Sequence, residues 1–244
     1  MTLNLNRDAN FADMTPGRTS QHEEQFTRFR EKIARQDFPC LGAKAALRQG
    51  TLQLKAYECM LNGASVQSLA RDLEAFVQDN AETPSEFAVL AAVDPAARMP
   101  DEIHFEKALF DVLQRLHQID PGTWDQRVST DPANSAFKFS FAGRAFYVVG
   151  VHPQASRIAR RFALPALIFN PVWQFDVLRS RKHLERLIRL VRNRDTALQG
   201  GINPNLRYEG ILSDAAQYSG RAIEEGWTCP FAHREAAPER ESRT

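Results

Sequence analysis

The chain has 244 residues, 43% of them hydrophobic, and a formal net charge of +1 at pH 7. This length and apolar content suffice for one sizeable core, so we expect a single domain. The near-zero net charge gives no reason to expect nucleic acid or a membrane surface as a partner. No apolar run approaches the ~18 residues of a membrane-spanning helix, and the first residues lack the apolar segment of a secretory signal. Three widely spaced cysteines make a poor disulfide framework and match no zinc spacing, which fits a reducing cytoplasm.

The N-terminal half of the chain alternates helical and strand-like patterns after a polar arm. Residues 1–20 are polar and are expected to form a flexible arm. A break is expected at Pro39 and Gly42. Apolar residues at helical spacing predict three amphipathic helices, at residues 21–36, 65–80 and 101–120. An alternating pattern predicts a half-buried strand at residues 51–59, and a continuous apolar run predicts a central strand at residues 86–93.

The C-terminal half contains the clearest hairpin signal, AFKFSF and AFYVVGV joined by AGR. A further strand is expected at residues 165–171, followed by one long amphipathic helix or two over residues 173–201. A capped helix is expected at residues 213–226, then an extended segment, then a disordered polar tail at residues 232–244. The pattern predicts one α+β domain over residues 21–231, with a mixed or antiparallel sheet flanked by amphipathic helices.

His152 follows the second hairpin strand directly and precedes Pro153. Loops that leave a rigid strand often carry function, so His152 is a candidate metal or cofactor ligand. Most histidines are instead only hydrogen-bonded, and a satisfied strand-end histidine explains the same pattern.

Three arginines follow within SRIARRF, and they allow two readings. If the segment is helical, Arg157 and Arg161 are neighbours four residues apart, and Arg160 lies between them. Their planar guanidinium groups suit a clamp for a carboxylate or phosphate. A solvated basic face accounts for the composition equally well.

Two further groups carry candidate chemistry. The long helix ends with Arg192, Arg194 and Asp195, and the amides of Gln199, Asn203 and Asn205 follow. A helix end and a loop explain the composition and spacing, but they do not explain why so many guanidinium and amide groups are gathered there. Cys40 and Cys229 are each flanked by Phe and Pro, and such a cysteine is either a small apolar residue or a thiolate presented to a metal. No GxSxG, P-loop, GxGxxG or HExxH motif occurs, which counts against the common hydrolase, NTPase, dinucleotide and zinc-protease classes.

Six short blocks, taken together and in order, resemble the YqcI/YcgG family over roughly residues 38–231. The blocks are FPCLGAKAAL, VVGVHPQASRIARRFALPALIFNP, QFDVLR, VRNRDTALQGGINPNL, AAQYSGR and WTCPF. The family includes haem-dependent N-hydroxylases, some of which act on arginine or on a cyclic guanidine. The resemblance implies a haem-dependent monooxygenase that N-hydroxylates a small guanidine- or amine-containing metabolite. It also implies haem b (iron protoporphyrin IX), dioxygen and an electron donor.

The resemblance also suggests roles for individual residues. His152 is the preferred axial ligand, with Cys229 or Cys40 as alternatives. The residues expected to surround the cofactor are His152, Ser156, Arg157, Arg160, Arg161 and Phe162. The residues expected to act in catalysis are Asn170, Gln174 and Tyr218, and those expected to bind substrate are Asp195, Asn203 and Asp214.

Two positions depart from the family pattern. Val172 and Trp173 stand where the family has a histidine after Asn-Pro, and Ala216 stands where a basic residue is expected. A substrate other than arginine is therefore compatible with the chain. Two other functions stay open, a non-catalytic haem-binding sensor or carrier and an α+β binding module without haem. Amphipathic helices with exposed faces are compatible with a homodimer.

Overall fold

The computed structural model describes residues 16–80 and 87–233. Five strands form one sheet: β1 (Leu52–Ala56), β2 (Val89–Val93), β3 (Phe139–Phe141), β4 (Arg144–Val151) and β5 (Ala166–Pro171). Their spatial order is β1-β2-β5-β4-β3. Strands β1 and β2 are parallel, and the other neighbouring pairs are antiparallel. The sheet is therefore mixed, which confirms the predicted α+β class.

Helices cover both faces of this sheet. The described residues contain α1 (Pro16–Ala34), α2 (Leu41–Gln49), α3 (Val66–Asp79), α4 (Glu102–Ile119), α5 (Trp173–Ser180) and α6 (Leu184–Gln199). No helix in this part of the chain combines the length and apolarity needed to span a bilayer.

Alternate side chains of β4 divide the core into two clusters, because successive strand residues point to opposite faces. Phe146 and Val148 pack with α3 and α4 on one side, which we call the α4 face. Val149 and Val151 pack with α1 and α2 on the other side, the α1 face. All five residues of β2 are buried, since this central strand is covered on both faces, and this explains its continuous apolar run.

The predicted strands and most predicted helices are confirmed, with boundaries shifted by a few residues. Helix α1 begins at Pro16, inside the segment predicted as an arm, whereas residues 1–15 and 234–244 lie outside the described part of the chain. The long helical pattern divides into α5 and α6, because Lys182 has a positive φ of 58° between them. The assignment of residues 21–231 to one domain stays a prediction.

Two local predictions are wrong. The break expected at Gly42 is the start of α2, because the Cys40 side chain accepts a hydrogen bond from the Ala43 amide (3.4 Å) and caps the helix. The helix expected at residues 213–226 is reduced to a short 3₁₀ turn, Asp214–Gln217. The chain cannot continue as a helix there, because Gly220 has a φ of +82°.

Gly150 marks the closest approach between β4 and α4. A Cβ at this position would lie 2.6 Å from a ring carbon of Phe105, 2.8 Å from a methyl of Leu109 and 2.9 Å from the Tyr218 carbonyl oxygen. We predict that Gly150→Ala lowers the free energy of unfolding by about 1–3 kcal/mol, because the core must shift to admit the methyl group. Urea denaturation measures the change. Gly201→Ala, with no atom within 4 Å of the added Cβ, is the control, and an equal loss in both variants would contradict the prediction.

Candidate functional site

A cavity of about 230 Å³ lies on the α1 face of the sheet. Apolar side chains of α1, β4, β5 and α6 form much of its wall, among them Phe29, Ile33, Val149, Val151, Ile168 and Val191. This volume is a little below the ~300–1,000 Å³ usual for small-molecule sites. The apolar wall would exclude water from a bound molecule.

Several predicted site residues meet at this cavity although they come from separate stretches of the chain. The lining includes Cys40, Arg157, Arg160, Phe162, Asn170, Asp195 and Asn203. The cavity therefore combines a thiol, two guanidinium groups, one carboxylate and two amides inside an otherwise apolar wall.

The central polar contact is an ion pair between Arg157 and Asp195. The Arg157 Nη2 donates to Asp195 Oδ2, and the two side chains are 9% and 20% exposed. This pair links the segment that follows β4 to helix α6. Charge-assisted hydrogen bonds of this kind are stronger than neutral ones, and Asp195 thereby already binds one guanidinium inside the cavity.

The Arg160 guanidinium donates hydrogen bonds to three backbone carbonyls. Its Nη1 donates to the oxygens of Gly150 (2.9 Å) and Tyr218 (3.2 Å), and its Nη2 donates to the oxygen of Gln217 (3.2 Å). Burial lowers the pKa of this guanidinium to about 10, so it still carries its charge at pH 7. Arg160 therefore ties the loop at residues 217–218 to β4 and brings a positive charge to the cavity.

Cys40 is the thiol of the cavity wall. Its sulfur caps α2, and the surrounding protein raises the pKa of the thiol, while the amides of Ala43 and Gly42 and the charge of Arg160 oppose that rise. The residue as a whole is exposed, and it lines the cavity. Cys40 therefore brings a thiol to the border of the cavity.

Helix α6 forms the outer wall of the cavity mainly through polar contacts. Among its residues only Leu184 is buried. Gln199 accepts from the Ile158 amide (2.7 Å), and Arg194 donates to the carbonyls of Phe38 (3.0 Å) and Gln36. The helix is thus attached at both the arginine segment and the Cys40 loop.

His152 lies on the other face of the sheet. Its ring is fully buried and stacks on Phe105 of α4, with ring centroids 4.2 Å apart. Neither ring nitrogen has a hydrogen-bond partner, and the imidazole does not line the cavity. The role of His152 as an iron ligand stays a prediction, and a flat macrocycle would need the space that Phe105 occupies.

The arginine segment is a single 3₁₀ turn, Ile158–Arg160. Arg157 and Arg161 are therefore not stacked as helical neighbours. Arg161 donates to the carbonyls of Ala155 and Ser156, and Ser156 is bonded through its amide and hydroxyl to Glu102. Phe162 packs at the cavity, with its ring centroid 4.4 Å from that of Phe29.

The remaining predicted residues lie away from the cavity. The Tyr218 hydroxyl accepts from the Phe139 amide (3.0 Å) inside the α4-face core. Asp214 pairs with Lys138 (2.7 Å). Gln174 is buried with no partner for its amide. Burial raises the pKa of Cys229 to about 11, and this thiol lines a separate open groove.

Sequence reasoning did not assign Phe29, Ile33 and Val191 to the site. The first two were predicted to share an apolar helical face, but the pattern alone does not show that this face covers a cavity. Among the described residues, no group of three or more His, Cys, Asp or Glu side chains could hold a metal ion. A haem iron needs only an axial ligand from the protein, so a single donor suffices for it.

The buried His152 predicts a specific pH dependence. Burial lowers its pKa to about 4 in the folded chain, with Arg160 adding to the shift and Glu102 opposing it. The unfolded chain has the ordinary value near 6.5 and binds the proton first as the pH falls. The neutral His152 therefore does not lower the free energy of unfolding above pH ~6.5. Between pH ~6.5 and pH ~4 that free energy decreases by about 1.4 kcal/mol for each pH unit.

When the pH falls from 7 to 5, the free energy of unfolding should decrease by roughly 2 kcal/mol less in His152→Leu than in the unsubstituted chain. Urea denaturation of both proteins at each pH measures this difference. Equal decreases in both proteins would contradict the prediction, because they would mean that His152 binds the proton equally well in the folded and unfolded chains. His104→Leu is the control, since this histidine is exposed.

The chain is similar to one protein family and to two individual proteins. The model of the YqcI/YcgG family matches residues 29–232, which confirms the resemblance expected from the six blocks. The chain is 25% identical over 199 residues to "Uncharacterized protein YqcI" of Bacillus subtilis (strain 168), covering 77% of each chain. It is 25% identical over 235 residues to "Putative N(omega)-hydroxy-L-arginine synthase DcsA" of Streptomyces lavendulae, covering 88% of this chain and 85% of that protein. No solved structure matches the chain.

Proposed function

We propose that this chain, which belongs to the YqcI/YcgG family, is a haem-dependent monooxygenase that N-hydroxylates a small guanidine- or amine-containing metabolite. The relative from Streptomyces lavendulae is named for the hydroxylation of an arginine nitrogen. The observation that carries the proposal is the cavity itself. It brings Cys40, Arg157 and Asp195 together from separate stretches of the chain.

The donor set of the cavity fits a haem. Cys40 lines the cavity, and thiolate is an established axial ligand of haem iron. Arg157 and Arg160 line the same cavity and carry the charges that would pair with the propionates. We therefore prefer Cys40 to His152 as the axial ligand, since the imidazole stacks on Phe105 on the opposite face of the sheet.

The cavity must widen to admit a haem, because about 230 Å³ is less than a ligand of that size requires. Helix α6 is a wall that can move, because Leu184 is its one buried residue and its contacts to the arginine segment and to Phe38 are polar. Movement of this wall exchanges protein hydrogen bonds for bonds to water, which costs less than breaking apolar packing.

When bound, the haem would supply the activation of dioxygen and the transfer of one oxygen atom. The Asp195 carboxylate would hold the substrate by accepting charge-assisted hydrogen bonds from the N–H groups of its guanidinium or ammonium. Arg157, which now pairs with Asp195, would turn its guanidinium toward an anionic group. The apolar wall around Val149 and Val151 would keep water from the reacting nitrogen.

We predict that the chain, purified with a haem supply, shows a Soret band. Because we assign the iron ligand to Cys40, Cys40→Ser should change the spectrum of the ferrous-CO form and weaken haem retention. His152→Leu should leave that spectrum unchanged. Cys229→Ser is the matched control, since this thiol lies in a different groove. A protein without a Soret band would contradict the haem proposal. A spectrum that changes only in His152→Leu would show that the imidazole, and not Cys40, binds the iron.

We also predict a loss of substrate binding in Asp195→Asn. Mass spectrometry of arginine and of other small guanidines and amines, incubated with the haem-loaded protein, dioxygen and a reductant, should reveal one product heavier by one oxygen atom. For that substrate, Asp195→Asn should raise KM roughly tenfold to a hundredfold, because a hydrogen bond to a charged group is lost. Asp214→Asn, on a carboxylate paired with Lys138, should leave KM unchanged. Equal effects in both variants would remove Asp195 from the substrate site.

A further inference from the structure

Positive charge is concentrated in one segment of this nearly neutral chain. Residues 179–194, RSRKHLERLIRLVRNR, hold seven arginines and lysines and one glutamate, whereas the whole chain has a formal net charge of +1. Since most of this segment is helix α6, the charge is displayed on one element that also forms the outer wall of the cavity.

Three of these cations are engaged by the rest of the protein. Arg179 pairs with Asp176, Arg192 pairs with Glu209, and Arg194 donates to backbone carbonyls. The other four are exposed and have no carboxylate partner among residues 16–80 and 87–233: Arg181, Lys182, Arg186 and Arg189. Like charges crowded together in this way repel each other, and an acidic partner would relieve that repulsion.

The exposed cations of α6 lie opposite its cavity side. Val191 and Asp195 line the cavity, and helical spacing puts Arg186 and Arg189 about half a turn away from them. An α-helix with its side chains is about 10–12 Å across. A protein bound to the outer side of α6 would therefore come within about one helix diameter of the cavity contents.

One exposed apolar side chain lies among these cations, and it helps to indicate the class of partner. Leu190 is 41% exposed and lies one helical turn after Arg186, and an apolar contact surrounded by polar side chains is typical of protein interfaces. Ile188 is 38% exposed, but it lies one turn before Val191 and so points toward the cavity side of the helix. The helix has no Trp, Phe or Tyr, which membrane-surface helices and single-strand nucleic-acid sites typically use. A protein is therefore favoured over a bilayer or nucleic acid.

The proposed reaction creates a need for such a partner. Oxidation of one N–H to N–OH by dioxygen also forms one water, and it consumes two electrons and two protons. The electrons must come from another molecule.

We propose that the outer face of α6, with Arg186, Arg189 and Leu190, forms a docking surface for an acidic electron-donor protein together with Arg181 and Lys182 just before the helix. This inference rests on the proposed function, because it supplies the electrons of that reaction. Charge complementarity would speed encounter and set orientation, and the contact would be weak and sensitive to salt.

The test uses an acidic [2Fe–2S] ferredoxin as the probe and the double variant Arg186→Glu, Arg189→Glu of the full chain. Binding is measured at low and high salt, and the reduction of the haem-loaded chain by reduced ferredoxin is followed by rapid mixing. We expect wild-type binding to weaken with salt and the variant to lose roughly tenfold or more in both affinity and reduction rate. Full reduction by dithionite and the far-ultraviolet circular dichroism should be unchanged.

The matched control is Arg71→Glu, Lys107→Glu, an equal change of charge on exposed residues of α3 and α4. Equal losses in both double variants would overturn the proposal, because only overall charge would then matter. Ferredoxin binding that ignores salt and both variants would also overturn it. Loss of binding to anionic vesicles or duplex DNA in the α6 variant, with ferredoxin unaffected, would reassign the surface to that partner. A chain that takes up no haem but binds ferredoxin through Arg186 and Arg189 would support the surface and contradict the proposed function alone.

Discussion

The ion pair between Arg157 and Asp195 joins two of the elements that line the cavity. Arg157 belongs to the segment that leaves the central hairpin, and Asp195 belongs to α6, whose own apolar burial is slight. Without this contact the helix would be held to the segment by the amide of Gln199. Each partner of this pair neutralises the other, so Arg160 supplies the net positive charge among the cavity-lining residues. Any anion or cation that enters must compete with a bond that the protein already makes.

Much of the fold could be predicted because short segments of the sequence show apolar residues at strand or helix spacing. The alternation in β4 and the continuous apolar run of β2 follow from strand geometry and from burial on both faces. The failures occur where a distant or single contact decides the structure. Helix α2 begins at a cysteine cap, which is an unusual capping residue. The expected helix after Ser213 is replaced by a turn next to Tyr218, whose hydroxyl bonds a strand about 80 residues earlier.

The candidate site was predictable in its chemistry and not in its placement. Arg157 could be singled out by residue type, and Asn170 and Asp195 by what the family resemblance implies, and the three do share one cavity. Val151 and His152 are adjacent, yet the first packs on the α1 face and the second stacks on α4. Which of two neighbours faces a cavity depends on strand register and on the helices above it. Cys40 was predicted only as an alternative to His152, and nothing local in the sequence indicates that the α1–α2 corner lies over the sheet.

The polar attachment of α6 has a consequence for the motions of the protein. A wall fastened by hydrogen bonds can swing outward while water takes over each abandoned donor and acceptor, so the opened form lies at modest free energy above the closed one. The apolar layers on the far side of the sheet have no such substitute and must stay packed. Helix α6 and the α4-face core thus differ in the cost of displacement, and α6 is the wall that an entering ligand would move.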